Sequence, residues 1–434
     1  MKFYRTALIA LTIAFTANLA SARIITVNRN GGAQYTTIQA AVDAASTSGD
    51  EIIVQPGVYT GTGNVVVDLG SKTVILRSNS GPENTIIDGQ NARAGIWCVN
   101  FESGREPIPS IIGFTIRNGV GVDQEASNGE LISFGGGMQT INTSPRIVNC
   151  VFRNNVADRG GGLYCESFGD RFLVVEDDHS RPILQNCSFE NNRAGLYGGG
   201  LAADDSTPEL SNCVFLGNSS QIGAGGIHNH RSPTISTDCI FSRNIAQVGG
   251  AVLNYESNPR FTGCEFVNNV ATAPVDIGGA PDLNPARAEP PGGAIHNETG
   301  LDAEDSVPAI SGSSFCGNQT VAISPADSWS DLGGNQFCEP EGVGPFRRGN
   351  SNGDANLDLS DAIATLRFLF LGAEPPACQA AADSNGDGNI DLTDAVYSLN
   401  FLFLAREALP APTECGLSEL ESDISLGCEN GGCE

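Results

Sequence analysis

The chain has 434 residues, of which 53 are glycine and only 17% are charged, against ~25% in ordinary globular proteins. That composition excludes a coiled coil, a charge-rich disordered chain and an ordinary helical enzyme. Fifty acidic side chains against 23 basic ones give a net charge of −27, and the only lysines are Lys2 and Lys72, which argues against nucleic-acid binding through a basic patch and favours divalent cations.

Lys2 and Arg5 precede an apolar run from Ala7 to about Ala17, and Ala20-Ser21-Ala22 is a small-residue cleavage pattern. Residues 1–22 therefore read as a secretory signal peptide. No later apolar run reaches ~18 residues, so no transmembrane segment is expected. Thirteen cysteines suit an oxidising extracellular compartment, and the odd number leaves at least one thiol unpaired or intermolecular.

The next predicted element is a short amphipathic helix at Tyr35–Val42, with Ile38, Ala41, Val42 and Ala45 at helical apolar spacing, and then Glu51–Tyr59 as a strand ending in a turn. From Gly113 onward a repeat dominates: small-Cys-x-Phe, an asparagine three places after the aromatic, a glycine pair, and a proline. Its copies are centred on Cys150, Cys187, Cys213, Cys239 and Cys264, with weaker copies at Phe114 and Phe315. A period of roughly 25 residues, carried by short alternating segments with Asn and Gly at left-handed backbone positions, is that of a stacked coil. It predicts a right-handed parallel β-helix over 23–338, mainly β and capped by the N-terminal helix. Cys and Phe, two apart, point inward together. Stacked residues are ~4.8 Å apart, wider than the ~3.8 Å between disulfide Cβ atoms, so the ladder is expected to be a column of free thiols.

At Thr37-Ile38-Gln39-Ala40-Ala41-Val42, Val54-Gln55-Pro56-Gly57-Val58-Tyr59 and Thr85-Ile86-Ile87-Asp88-Gly89 the chain resembles the pectate-lyase-like superfamily, which includes pectin esterases and polygalacturonases. The resemblance implies the β-helix fold over residues 24–337 and work on extracellular polysaccharide, as a lyase or glycoside hydrolase. That family's basic catalytic residue among calcium-binding aspartates is not recognisable here.

Alignment on the glycine pairs places Met138, Leu163, Leu201, Ile227, Ala251 and Ala294 inward, and Ile141, Glu166, Asp204, His230, Asn254 and Asn297 outward three places later. Glu166, Asp204 and His230 then stand on successive coils. One coil step of ~4.8 Å is close to the ~5–5.5 Å carboxylate spacing of a retaining glycosidase. These three are the catalytic candidates, for acid–base work on a sugar chain, and the same ribbon could instead bind calcium that bridges an acidic polysaccharide; the bland alternative is the ordinary polarity of a solenoid's outer face. His296 is expected inward. The insertions 120–134, 166–181 (with Asp177, Asp178 and His179) and 270–291 are candidates to wall a groove.

After a linker at 339–348, two acidic loops of the same spacing appear, the first starting at Asn350 and the second at Asp383. In the second, Asp383, Asn385, Asp387, Asn389, Asp391 and Asp394 occupy positions 1, 3, 5, 7, 9 and 12 of a calcium loop, with Gly388 at the sharp turn and Asn389 supplying its carbonyl. Asn350, Asn352, Asp354, Asn356, Asp358 and Asp361 repeat the pattern in the first, with Asn350 for Asp and Ala355 for Gly, so weaker binding is expected there. Each loop runs into a helix with an apolar stripe: Ile363, Leu366, Leu369, Phe370 and Val396, Leu399, Leu402, Phe403, predicted to pack face to face.

This calcium-binding module at 349–416 resembles a type I dockerin, and is similar in character to the dockerin-like repeats of secreted planctomycete-type proteins. The resemblance implies Ca2+ as cofactor and docking to a cohesin-like receptor through loop positions 10 and 11, here Leu359-Ser360 and Leu392-Thr393. Cys415, Cys428 and Cys433 in or beside the tail 417–434 are the expected disulfide cysteines. Two main function classes survive: a secreted polysaccharide-active enzyme, and a non-catalytic extracellular binding, structural or adhesive surface protein.

Overall fold

The computed structural model describes residues 22–46, 48–99, 108–125, 129, 131–167, 180–272, 292–298, 306–318, 321–325, 328–337, 346–354, 356–371, 373, 375–376, 378–404, 408–416, 423, 426 and 428. The predicted signal peptide, up to Ser21, the insertion residues Asp177, Asp178 and His179, and Cys433 lie outside the described residues.

Each repeat is one coil. In one of them the strands Arg146–Val148, Val151–Arg153, Val156–Arg159 and Leu163–Glu166 follow one another around the turn, and each pairs in parallel with its counterpart one repeat later. Repetition stacks the described strands into four sheets of eleven, ten, seven and nine strands, taken in the order the coil visits them. Parallel crossovers of twisted strands are right-handed, and the architecture is the right-handed parallel β-helix that the period predicts. The 120–134 insertion adds an antiparallel hairpin, Val122–Glu125 with Leu131–Phe134, to the third sheet.

The repeat consensus follows from the corners of the coil. The residue before each ladder cysteine has positive φ: Asn149 (51°), Asn186 (53°), Asn212 (52°), Asp238 (51°) and Gly263 (62°). Only Gly, Asn and Asp enter that region readily, so the "small" residue of the motif is a backbone requirement. Inside, Phe152, Phe189, Phe215, Phe241, Phe266 and Phe315 stack, and the exposed Phe337 ends the column, with ring centroids 4.6–5.0 Å apart.

Beside the rings runs an asparagine ladder. The Nδ2 of Asn155, Asn192, Asn218, Asn244 and Asn269 each donates to the Oδ1 of the next member at 2.9–3.0 Å, ending on Asn318. The second proton of Asn218 Nδ2 goes to the Phe189 carbonyl at 2.9 Å, and its Oδ1 also accepts the Asn192 main-chain N–H at 3.0 Å. Each rung thereby satisfies main-chain groups at a corner that strand pairing leaves open.

The cysteines behave as the spacing argument requires. Cys98, Cys150, Cys165, Cys187, Cys213, Cys239 and Cys264 are buried free thiols. Burial pushes Cys98 and Cys165 up to about 12, which makes them inert core residues.

The N-terminal helix, α1 (Ile38–Ala44), buries Ile38, Ala41 and Val42 in the main core. Thr37 Oγ1 caps it by accepting from the Ala40 N–H at 3.2 Å. Lys72 Nζ closes the other end by donating to the carbonyls of Val42, Asp43 and Ala45 at 2.6–3.0 Å.

Asn218→Ala should cost at least about 3 kcal/mol, because it strands a buried carbonyl and two donors of Asn192, three groups at about 1–3 kcal/mol each. The denaturant midpoint of the β-helix transition measures this, and a shift below ~1 kcal/mol would mean the ladder is not a source of stability.

Candidate functional site

The fourth sheet carries the candidate ribbon. Leu163–Glu166, Leu201–Asp204 and Ile227–His230 are neighbouring strands, with Glu166 opposite Asp204 and Asp204 opposite His230. The expected succession of these three is therefore present. The next two rungs differ from expectation: Val252 pairs with Ile227 and Ile295 with Val252, so Tyr255 and Glu298 continue the outward column.

Alignment on glycine pairs places Asn254 and Asn297 in that column. In the structure they instead point inward and extend a second buried ladder, Asn229 to Asn254 to Asn297, with amide hydrogen bonds of 2.8 Å. His296, expected inward, correspondingly turns to the outer face, 3.7 Å from Glu298. The cause is that the motif is a triplet preceding the apolar residue: Gly160-Gly161-Gly162-Leu163 and Gly198-Gly199-Gly200-Leu201, against Ala224-Gly225-Gly226-Ile227 and Gly249-Gly250-Ala251-Val252. Alanine occupies the first place in one coil and the third in another, so the visible pairs are out of step by one place. Such a slip exchanges the two faces of a strand. Ala224 accepts the left-handed geometry of the first place at φ 57°.

Asp204 is the centre of the cluster. It is 6% exposed, and its Oδ2 accepts from Tyr164 Oη at 2.8 Å and from Arg159 Nη1 at 3.2 Å. His230 Nδ1 lies 3.4 Å from Oδ1, in ion-pair range but without the alignment of a hydrogen bond. Burial alone would raise the Asp204 carboxyl, but His230 and Arg159 hold it well below the usual range. Glu166 moves oppositely: burial, then the neighbouring charge of Asp204, pushes it up to about 7. Burial also lowers His228 to about 3, so it is neutral, and raises the Tyr164 hydroxyl. Two adjacent carboxyls driven apart in this way are one proton-bearing and one ionised group, the pattern acid–base chemistry requires.

Beside them is a shallow depression lined by Arg159, Tyr197, His228, His230, Tyr255 and Glu298, among others. Its ≈ 10 Å³ has room for roughly one water molecule. His228 stacks on Tyr197 at 4.6 Å and Tyr255 meets His230 edge-on at 5.3 Å. Arg159 stands 5.3 Å from the Tyr197 ring centroid. Sequence reasoning missed Arg159 because it arrives from the third sheet, a whole repeat and more before Asp204. Tyr255 and Glu298 are hidden from it by the one-place slip.

The C-terminal region contains α2 (Leu359–Leu371), α3 (Gln379–Ala382) and α4 (Leu392–Leu404), with α2 packed on α4. In the second loop the Asp383 carboxylate accepts main-chain N–H bonds from Gly386, Asp387 and Gly388 at 2.8–3.1 Å. Asp394 accepts from Asn385 at 3.2 Å and Asp391 at 2.8 Å. Asp361 repeats this in the first loop, from Asn352 at 3.2 Å and Asp358 at 2.9 Å. Gly388 takes the turn with φ 87°. Asn350 is 1% exposed with neither side-chain polar atom hydrogen-bonded. As the side chains stand, no three His, Cys, Asp or Glu among the described residues converge as a metal site. The further oxygen donors of the loops are amides and main-chain carbonyls, which suit a hard cation.

The expected helix stripe is the packing face only in part, with Leu366, Leu369, Leu399 and Leu402 half-buried. Asp361, Ala362 and Thr365 of α2 and Asp394, Ala395 and Ser398 of α4 are buried, while Ile363, Phe370, Val396 and Phe403 are exposed. Each position-12 aspartate must point back into its loop, and that sets the rotation of the helix behind it. The tail is tied to this region: Cys378 is bonded to Cys428, and the fully buried Arg348 pairs with the fully buried Asp423. Arg348 also donates to the Asp383 carbonyl at 2.7 Å, and Phe346 is buried beside Cys378. Residues 346–348, assigned to the linker by sequence, thus pack within this unit. Cys316 and Cys415 each take part in a separate disulfide.

A sequence-family model for the right-handed beta helix region matches residues 173–284, and one for the Chlamydia polymorphic membrane protein repeat matches residues 149–166. No curated protein matches the chain in sequence. Solved structures with a similar course of chain include pectate lyase Pel9A, at 12% identity over 79% of this chain and 85% of that one, with a TM-score of 0.40. Others are pectin methylesterase PemA from Erwinia chrysanthemi (10% identity, 72% and 81% covered, TM-score 0.34) and Escherichia coli YbhC (16%, 76% and 78%, 0.35). Likenesses this distant carry no argument about activity. Among the described residues no helix is long and apolar enough to cross a membrane.

The elevated Glu166 carboxyl makes a pH prediction. Its folded value of about 7 exceeds the ordinary 4.5, so the folded state holds this proton more tightly. The associated stability is complete below pH 4.5 and is lost as pH rises through 7, an upper bound of about 3 kcal/mol. Glu166→Gln should therefore raise the melting temperature relative to wild type at pH 8 and not at pH 4; an equal difference at both values would refute the shift.

Proposed function

We propose that this is a secreted protein whose β-helix binds an extracellular polysaccharide across the outer face of the fourth sheet, with a calcium-dependent, dockerin-like module that attaches it to a receptor. The observation that carries the binding reading is the continuous outward column Glu166, Asp204, His230, Tyr255 and Glu298, beside the aromatic rings of Tyr197 and Tyr255. Binding sites of this kind combine apolar ring faces with a few fixed polar groups.

Binding is favoured over turnover by the state of Asp204. A glycosidase must present both carboxyls to the sugar, whereas Asp204 is buried against Tyr164, Arg159 and His230 beside a depression with space for roughly one water. Hydrolysis, with Glu166 as acid and Asp204 as base, is the second reading, supported by the opposite displacement of the two carboxyls.

For the module, the fit to calcium rests on the carboxylate-anchored loop turns and on the buried Asn350 Oδ1, an acceptor without a hydrogen bond that a cation would satisfy. Asn350, Asn352, Asp354, Asp358 and Asp361, and Asp383, Asn385, Asp387, Asp391 and Asp394, would hold the ions, with main-chain carbonyls of Asn356 and Asn389. Bound Ca2+ would neutralise the clustered acids and fix the helix N-termini. The exposed Leu359, Ile363 and Phe370 recur in the second loop and helix as Leu392, Val396 and Phe403, a duplicated apolar surface suited to a cohesin-like receptor protein.

Calorimetric titration of the purified protein with CaCl2 should show two sites, and Asp394→Ala should leave one. Absence of binding heat and of a calcium-dependent melting transition would overturn the calcium assignment. Retention on an immobilised polysaccharide without release of reducing ends supports the binding reading; reducing ends that disappear in Glu166→Gln would establish the hydrolytic one.

A further inference from the structure

We infer that removal of the signal peptide completes the folded β-helix: hydrolysis between Ala22 and Arg23 leaves an α-ammonium group on Arg23, and the buried carboxylate of Asp50 receives it. The inference rests on the signal-peptide reading of residues 1–22, with Ala20 and Ala22 as the small residues before the cut. In that step a signal peptidase adds one water molecule across the peptide bond. The water oxygen ends on the Ala22 carboxylate, and both its protons end on the Arg23 nitrogen.

The receiving site is already built. Asp50 is 1% exposed, and its Oδ1 accepts the Arg23 main-chain N–H at 2.9 Å, so the nitrogen that gains the charge already touches the carboxylate. Its Oδ2 accepts from Arg23 Nε at 3.1 Å, Arg23 Nη2 at 2.6 Å and the Ser46 main-chain N–H at 2.8 Å. The bonds from Arg23 outweigh burial and hold the carboxyl well below its usual range, so it is ionised. The Arg23 side chain is 58% exposed, and a half-solvated partner compensates a buried charge poorly. An ammonium on Oδ1 supplies a second positive charge at hydrogen-bond distance, and a charge-assisted bond is roughly twice as strong as the amide bond it replaces. Ala22 and Arg23 are both exposed, so the other two ammonium protons meet water.

The contact sits where the first coil closes. Arg23 immediately precedes the strand Ile24–Val27, which ends the eleven-stranded sheet, and its carbonyl accepts the Glu51 N–H at 2.8 Å. Arg23 Nη2 also donates to the Ala44 carbonyl at 3.0 Å, and Ser46 lies just past the end of α1. Capture of the ammonium therefore ties the end strand to the exit of the capping helix. The other charged or titratable groups at this end are Glu51, bonded to Arg77, Asp43, bonded to Gln39, Lys72, on the last carbonyls of the helix, and Tyr35, within electrostatic reach of Arg23. An uncut chain offers Asp50 only an amide at this nitrogen, so the clamp reaches full strength after processing.

The test is secretion of the full precursor from a bacterial host, N-terminal sequencing of the purified product, and competitive acetylation of its amines from about pH 6 to about pH 11, read by peptide mass spectrometry. Lys72 is the only lysine left after the cut, so two amines report. The chain should begin at Arg23, and its amine should titrate at least about one unit above the ordinary ~7.7–8.0, which slows its labelling at pH 8 roughly fivefold relative to Asp50→Asn. Because the folded value exceeds the unfolded one, the stabilisation is complete below about pH 8 and is lost as pH rises through the folded value. Arg23→Leu removes the guanidinium and keeps the main-chain nitrogen, so its amine should stay elevated; this variant decides the matter should Asp50→Asn not fold. An elevation absent from Arg23→Leu, or a wild-type amine titrating near 8, would overturn the inference with the signal-peptide reading intact. A first residue other than Arg23 would overturn it through that reading.

Discussion

The structure depends on one constraint: every coil must place its corner in the same position as the coil before it. Strand pairing alone leaves main-chain groups open at the corners, and a chain turning every few residues has many of them. The asparagine ladder closes them, with Asn218 bonding at once to the amide of one neighbour, the side chain of another and the carbonyl of a phenylalanine. Because each rung is read by the next, a slip in one coil would break bonds in two others. The 4.6–5.0 Å phenylalanine spacing is the apolar expression of the same register.

That register decides what the outer face can be. A parallel sheet in strict step converts a sequence period into a straight column of side chains, so Glu166, Asp204 and His230, each from a different repeat, become neighbours. Crowding then does the electrostatic work: Glu166 and Asp204, side by side, cannot share one environment. The one nearer Arg159 and His230 keeps its charge, and its neighbour keeps a proton. The arrangement resembles the carboxyl pairs of glycosidases in its pKa logic but differs in access, since Asp204 is enclosed by its partners.

The C-terminal unit applies repetition differently. Two copies of a loop and helix, beginning at Asn350 and at Asp383, turn their position-12 aspartates inward and so rotate Ile363, Phe370, Val396 and Phe403 outward. The burial of Arg348 against Asp423, with one donor on the Asp383 carbonyl, couples the tail to the second loop. A fully buried guanidinium without its partners would be strongly destabilising, so the residues beyond the second helix are part of how that loop is held.

The sequence alone determined the period, the parallel β-helix, the inward Cys and Phe columns, the asparagine ladder and the helix that plugs the first coil. These are legible because they recur, and because left-handed corners admit few residue types. It also brought Glu166, Asp204 and His230 into succession, since their coils carry the glycine motif in the same frame. What it could not decide was the frame of the later coils. Whether Ala224 or Ala251 stands in for a glycine is settled by which alignment lets every neighbouring strand bond at once, a cooperative property absent from any single repeat. Tyr255, Glu298 and the outward His296 followed from that decision. Arg159 and the rotation of α2 and α4 were decided in the same way, by packing between segments far apart in the chain.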